Sequence, residues 1–104
     1  MAYKIMSVVG ARPNFIKVAA IHEAIKQYNH LSANPKIDHY LVHTGQHYDT
    51  NMSELFFHDL ELPKPNLYLD VSSGTHSLQT AKVMERFEAV LLAERPDVVL
   101  VVGD

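Results

Sequence analysis

The sequence has no cysteine, no tryptophan and only four glycines among its 104 residues. Without cysteine there can be no disulfide framework and no thiolate nucleophile, which fits a cytoplasmic protein. No apolar run approaches the roughly 20 residues that span a bilayer, and the N-terminus lacks the regions of a signal peptide. We therefore expect no membrane partner and a cytoplasmic location.

Acidic residues are absent from the first 22 positions, although the formal net charge of the chain is −3. That stretch carries Lys4, Arg12 and Lys17, so positive charge is concentrated there, where an anionic ligand would bind. The negative total argues against a nucleic-acid partner, which would call for a strongly basic face.

Two glycine-rich nucleotide motifs are also missing. Arg12 and Phe15 stand where G-x-G-x-x-G needs glycine, and no P-loop pattern occurs. His43 and His47 have the spacing of zinc ligands on a helix, but Gly45 lies between them and His43 belongs to a predicted strand. We therefore predict neither a dinucleotide site nor a metal site.

The segment at 4–17 organises the rest of the chain. A β-branched apolar run at 5–9 predicts a buried strand, Gly10 permits a sharp turn, and Pro13 suits the first position of a helix. Free backbone N–H groups and the positive end of a helix dipole then meet at one point, which favours phosphate. Arg12 and Lys17 would add charge there; the alternative is that both are ordinary solvated surface residues.

Further along, strands alternate with helices. The patterns predict parallel strands at 4–9, 38–43, 66–69 and 98–102, the first and last adjacent at the centre of the sheet. They also predict a short helix through Met52, Leu55 and Phe56 and a long one at about 76–94, capped by Thr75, with Arg86 among its solvent-facing charges. This order predicts an α/β, Rossmann-like parallel sheet with flanking helices.

Polar clusters follow three of these strands, at 10–12, 44–47 and 103–104. Ligands of such sheets bind beyond the carboxyl ends of the strands, so the clusters mark the candidate site. Asp104 is either a catalytic carboxylate or a helix cap. His47 and His76 each follow a glycine loop, although His76 also suits the first turn of a helix. The other histidines are interpreted as helix-face or surface residues: His22, His30, His39 and His58.

Four motifs occur in one order and spacing: GARPNFIK at 10–17, TGQH at 44–47, SGTH at 73–76 followed by Gln79 and Thr80, and PDVVLVVGD at 96–104. In this the whole chain resembles the start of the non-hydrolysing UDP-N-acetylglucosamine 2-epimerases. Position 14 is asparagine where many members have glutamate, which we interpret as subfamily variation.

The resemblance implies a GT-B type fold of two Rossmann-like domains with the active site between them. Residues 1–104 would be the N-terminal part of the first domain, truncated and without the second. Family members are several times longer, and the full-length form is expected to be a homodimer. No redox cofactor and no essential metal are implied.

The activity implied is C2 epimerisation of UDP-N-acetylglucosamine to UDP-N-acetylmannosamine, by elimination and re-addition of UDP, in surface-polysaccharide precursor synthesis. Gly10, Arg12, Pro13 and Lys17 match the substrate-binding segment, where positive charge would stabilise the departing diphosphate. Asp104 matches an acidic residue that moves the C2 proton. Gln46 and His47 match a segment that binds a second, activating UDP-N-acetylglucosamine in bacterial members.

Three other functions stay open at this point. A GT-B glycosyltransferase would share the fold and the nucleotide sugar but form a glycoside, and a hydrolysing epimerase would release free N-acetylmannosamine. A flavodoxin-like, non-catalytic nucleotide-binding module would need a capping helix after Asp104, and the sequence ends there.

Overall fold

A parallel β-sheet flanked by two long helices forms the part of the chain that the computed structural model describes. This part comprises residues 2–10, 12–31, 36–45, 58–72 and 74–103, with Arg12 described by its backbone alone. Its main elements are β1 (Ala2–Val9), α1 (Arg12–Leu31), β2 (Lys36–His43), β3 (Leu67–Tyr68), α2 (His76–Glu94) and β4 (Val98–Val101). The predicted short helix through Met52, Leu55 and Phe56 lies outside the described residues.

The strand order is β3-β2-β1-β4, and every pair is parallel. Val9 lies opposite His43 in the β1–β2 pair, and Ile5 lies opposite Val98 in the β1–β4 pair. The predicted α/β class and the pairing of the first strand with the last are therefore confirmed.

The position of β4 within the sheet differs from the prediction. Its uniform apolarity predicts a central strand, yet β4 lies at the edge of the four strands described. Val98, Val99 and Val101 are 49%, 41% and 70% exposed. An apolar run of this kind suits burial on both faces, and the described residues supply a strand partner on the β1 side alone.

Two apolar clusters form the core, one on each face of the sheet. On the first face Phe15 and Val18 of α1 pack with Val9 and Leu41. On the second face Val90 of α2 packs with Met6 and Val42, supported by Val83, Phe87 and Leu91. Alternate residues of β1 and β2 therefore point to opposite helices, which gives three layers.

The ends of α2 follow the predicted pattern. The Thr75 hydroxyl accepts a hydrogen bond from the Leu78 N–H at 3.2 Å, and the helix ends at Arg95 in a left-handed conformation, one residue before Pro96. The assignment of Arg86 to solvent is wrong: its Nη1 donates to the carbonyls of Leu69 and Asp70 at 2.6 and 2.7 Å. Among the described helices, none is long and apolar enough to cross a membrane.

Candidate functional site

The candidate site lies where the strand order reverses. From β1 the chain moves outward to β2 and β3, and then returns to place β4 on the other side of β1. The crevice beyond the carboxyl ends of β1 and β4 is the usual ligand position of such a sheet. Gly10 follows β1 and Gly103 follows β4, so the described residues of two predicted clusters lie at the same edge of the sheet.

Gly10 is required for space rather than for an unusual backbone angle. A Cβ atom at this position would lie 2.7 Å from Oγ1 of Thr44, and no glycine of the described part has a positive φ. The Gly10 N–H donates to Oδ1 of Asn14 at 3.0 Å, so Asn14 satisfies one of the amides that the sequence left free for an anion.

The N-terminus of α1 directly follows this turn. Arg12 and Pro13 are the first two residues of the helix, so Pro13 occupies the second position rather than the predicted first. Proline is tolerated there because the first-turn N–H groups have no partner within a helix. The positive end of the helix dipole lies at this turn and attracts negative charge.

Lys17 connects α1 to the end of β4. Its Nζ donates to the carbonyl of Gly103, the residue that precedes Asp104, and its side chain is exposed. An ammonium group has three protons, so this contact leaves capacity for an anion at the same point. The Lys17 ammonium therefore lies beside the end of β4, which borders the crevice.

Lys4 does not belong to the site, although the sequence groups it with Arg12 and Lys17. It lies near the amino end of β1, where its Nζ pairs with Glu94 at 3.0 Å. The hydrogen bond to Glu94 is the main cause that raises the pKa of Lys4. Lys4 is close to Arg12 in sequence but not in the fold, because the two ends of a strand lie on opposite edges of the sheet.

The end of β2 is fixed by hydrogen bonds on all sides. The Thr44 N–H donates to the Val9 carbonyl at 2.9 Å, and the carbonyls of Thr44 and Gly45 accept from Val71 and Asp70 at 3.0 Å each. The Gly45 N–H donates to Nδ1 of the buried His43 at 2.7 Å. Thr44 and Gly45, the first two residues of the third predicted cluster, are therefore held by hydrogen bonds beside the end of β1.

Three of the predicted site residues, Gln46, His47 and Asp104, lie outside the described residues, as does the side chain of Arg12. His76 is exposed in the first turn of α2, as its position after Thr75 suggests. Within the described part of the chain no group of three or more metal-ligating side chains comes together.

A hydrogen-bonded chain of side chains that the sequence interpretation missed lies between α1 and the sheet. His39, interpreted as a surface residue, is partly buried: its Nε2 is 2.7 Å from Oγ of Ser7, and its Nδ1 is 2.9 Å from Nδ1 of His22. Only one of the two facing Nδ1 atoms can carry a proton. Alternation along β2 could have indicated this, because His39 shares the face of buried Leu41.

The burial of His39 in this group of side chains predicts that the protein becomes less stable in acid. Burial first, and then the nearby His22, lower the pKa of His39 from 6.5 to about 4. Between these pH values the unfolded chain binds more protons than the folded one. The contribution of His39 to the free energy of unfolding is therefore fully present above pH 6.5 and is lost as the pH drops towards 4. Asp38 opposes this shift, while burial and Lys26 lower the pKa of His22 in the same direction.

Urea unfolding across this pH range would measure the effect. His39→Gln keeps a polar side chain beside Ser7 but cannot titrate, so its profile should be flatter than that of the parent. Parallel profiles for the two proteins would contradict the assignment to His39.

The contact between Gly10 and Thr44 predicts a second effect on stability. Gly10→Ala places a methyl group 2.7 Å from the Thr44 Oγ1, and this overpacking should cost about 1–3 kcal/mol in urea unfolding. Gly74→Ala is the matched control, because its Cβ would meet only Leu78 at 3.5 Å. Adding Thr44→Ala to Gly10→Ala should restore stability; equal losses in the single and double variants would argue against the contact.

Comparison with known proteins identifies close similarities over almost the whole chain. A family model described as UDP-N-acetylglucosamine 2-epimerase matches residues 29–104. The UDP-N-acetylglucosamine 2-epimerase of Methanocaldococcus jannaschii is 44% identical over 97% of this chain and 26% of its own length. The UDP-2,3-diacetamido-2,3-dideoxy-D-glucuronate 2-epimerase of Pseudomonas aeruginosa is 46% identical over 97% of this chain and 27% of its own.

Solved structures agree with these sequence matches. The Methanocaldococcus jannaschii UDP-GlcNAc 2-epimerase in complex with UDP-GlcNAc and UDP superposes with a TM-score of 0.81 at 42% identity. The superposition covers 97% of this chain and 26% of the solved chain. The sequence thus spans about a quarter of the length of the relatives it matches.

Proposed function

Because the chain belongs to the UDP-N-acetylglucosamine 2-epimerase family, we propose that it contributes one wall of the active site of such an enzyme. Residues 1–104 would be the N-terminal part of the first of two Rossmann-like domains, in a homodimeric protein of GT-B type. The reaction would interconvert UDP-N-acetylglucosamine and UDP-N-acetylmannosamine in surface-polysaccharide precursor synthesis.

The observation that carries this proposal is the construction of the crevice between β1 and β4. The α1 N-terminus follows the short turn after β1, and Lys17 reaches the carbonyl of Gly103 from that helix. The positive end of a helix dipole and an ammonium group therefore lie at the switch point of the sheet, where a diphosphate would be recognised.

The chemistry proposed for this crevice is elimination followed by re-addition. A base removes the C2 proton, a C1–C2 double bond forms, and the C1–O electron pair leaves with UDP. UDP then adds back to C1, and C2 receives a proton on its opposite face. Arg12, Lys17 and the α1 N-terminus would stabilise the negative charge on the leaving diphosphate, and Asp104 would transfer the C2 proton.

The apolar surface beside β4 supports a longer protein. A groove of about 400 Å³ lies between α1 and β4, and it is lined by Ile5, Ile21, Ile25, Val98 and Leu100 among others. With the exposed valines of β4, it forms an apolar surface of the kind that usually packs against more protein. We propose that the part of the protein beyond these 104 residues covers it.

The test is incubation of the two-domain protein with UDP-N-acetylglucosamine in deuterated water. Epimerisation through C2 predicts UDP-N-acetylmannosamine carrying deuterium at C2. A glycoside formed with an added acceptor would instead indicate a glycosyltransferase, and free N-acetylmannosamine a hydrolysing epimerase. Binding of the nucleotide sugar without turnover would indicate a binding module.

A second candidate substrate has a specific observation in its favour. The relative at 46% identity is named as a 2-epimerase of UDP-2,3-diacetamido-2,3-dideoxy-D-glucuronate. Both substrates carry the same diphosphate and the same reacting C2 position, so the crevice at β1 and β4 would serve either one. A comparison of kcat/KM for the two sugars separates them.

The proposed activator predicts a separate effect at Gln46. Gln46→Ala should reduce the stimulation of the two-domain enzyme by added UDP-N-acetylglucosamine while leaving the affinity for UDP almost unchanged. Turnover against substrate concentration, together with UDP binding by calorimetry, measures both quantities. Equal loss of both would place Gln46 in the catalytic site instead.

A further inference from the structure

We propose that His43 is a positioning residue that holds the ends of β1 and β2 in the arrangement the active site needs. This inference rests on the proposed function, because it concerns the same site. His43 is a buried residue that takes no direct part in the proposed reaction.

The His43 ring is packed inside the site's support. The side chain is 2% exposed, and its ring lies 5.2 Å from the ring of Phe15 and 5.3 Å from that of Tyr68. Phe15 belongs to the first turns of α1, directly behind the proposed anion site, and Tyr68 belongs to β3. One side chain therefore contacts both the helix that begins at the site and the neighbouring strand.

The ring also makes a hydrogen bond that an apolar residue could not make. Its Nδ1 accepts from the Gly45 N–H at 2.7 Å, so the neutral ring carries its proton on Nε2. Gly45 has no space for a side chain, because a Cβ there would lie 2.6 Å from Cε1 of His43. His43 and Gly45 are thus fitted to each other, and the Gly45 carbonyl is held by Asp70 on the other side.

These contacts link His43 to the turn after β1. Thr44, between the two fitted residues, donates to the Val9 carbonyl at 2.9 Å, and its Oγ1 fills the space where Gly10 would carry a Cβ. A shift of the imidazole would move Gly45 and Thr44, and with them the turn at Gly10.

Two variants of the two-domain protein separate this role from simple packing. His43→Phe keeps an aromatic ring between its neighbours but removes the acceptor, whereas His43→Asn keeps an acceptor near the position of Nδ1 and loses the ring. We expect kcat/KM to fall on the order of tenfold in His43→Phe, because the Gly45 N–H loses its acceptor and the end of β2 is no longer held in place. His43→Asn should retain more activity, although it melts at a lower temperature.

The activity order of the two variants is therefore expected to be the reverse of their stability order. Activities that follow melting temperature would overturn the inference and leave His43 as a packing residue. Absence of epimerase activity in the parent would instead count against the proposed function. If His43→Asn does not fold, nitrogen-15 spectra of the parent decide: an unprotonated Nδ1 and a shift of the Gly45 amide on adding UDP support the role, and a protonated Nδ1 overturns it.

Discussion

Arg12→Ala, introduced into the two-domain protein, is expected to lower turnover of UDP-N-acetylglucosamine about a hundredfold. The backbone of Arg12 begins α1 at the switch point of the sheet, next to the position proposed for the diphosphate. In the proposed reaction, negative charge would grow on the diphosphate as the C1–O bond breaks. A guanidinium placed there stabilises the transition state more than the bound substrate, so kcat should fall together with kcat/KM.

Lys26→Ala is the control for this measurement. Lys26 lies on the same helix, is solvent-exposed, and pairs only loosely with Glu23 at 3.6 Å, so its loss should leave turnover unchanged. Arg12→Lys should recover part of the activity, because it keeps the charge but loses the bidentate geometry. Steady-state rates of Arg12→Ala within a factor of two of the parent would show that Arg12 is an ordinary surface charge.

Much of the fold follows from local patterns in the sequence. The apolar run before Gly10 and the Thr75 cap with Pro96 beyond it mark β1 and the limits of α2. β3 is harder to predict because only Leu67 and Tyr68 form it, and its continuation is held by backbone bonds to residues 43–45. The edge position of β4 could not be predicted from the sequence. An apolar run indicates that a strand is buried, but it does not indicate which residues cover the strand.

The parts of the candidate site that depend on where strands end could be predicted from the sequence. The parts that depend on contacts between a helix and the sheet could not. Gly10 and Lys17 lie at the β1–β4 crevice because the carboxyl ends of parallel strands share one edge. Lys4 lies outside the site because it is near the amino end of β1, at the opposite edge of the sheet. The environments of His39 and His43 depend on residues distant in sequence, such as Ser7 and Phe15, which no local pattern reveals.

Residues 1–104 purified alone are expected to fold but to catalyse no epimerisation. The described part of the chain has buried apolar residues on both faces of the sheet, with Phe15 in one cluster and Val90 in the other. The described residues, by contrast, give the crevice one wall: Gly10, Lys17 and Gly103 all lie along the same edge of the sheet. A glycal intermediate and UDP would diffuse away from such a surface before re-addition.

Deuterium exchange at C2 is the most sensitive measurement of this prediction, because it detects elimination and return even when little product accumulates. The piece should show no incorporation into UDP-N-acetylglucosamine, while the two-domain protein at equal concentration should show incorporation and the manno epimer. Weak UDP binding by residues 1–104 is compatible with the prediction, because the α1 N-terminus remains. The second domain, which would close over the ligand and retain it, would be absent from this piece. Incorporation of deuterium by the piece alone would contradict the need for a second domain, because one edge of one sheet would then suffice to remove the C2 proton and hold UDP for its return.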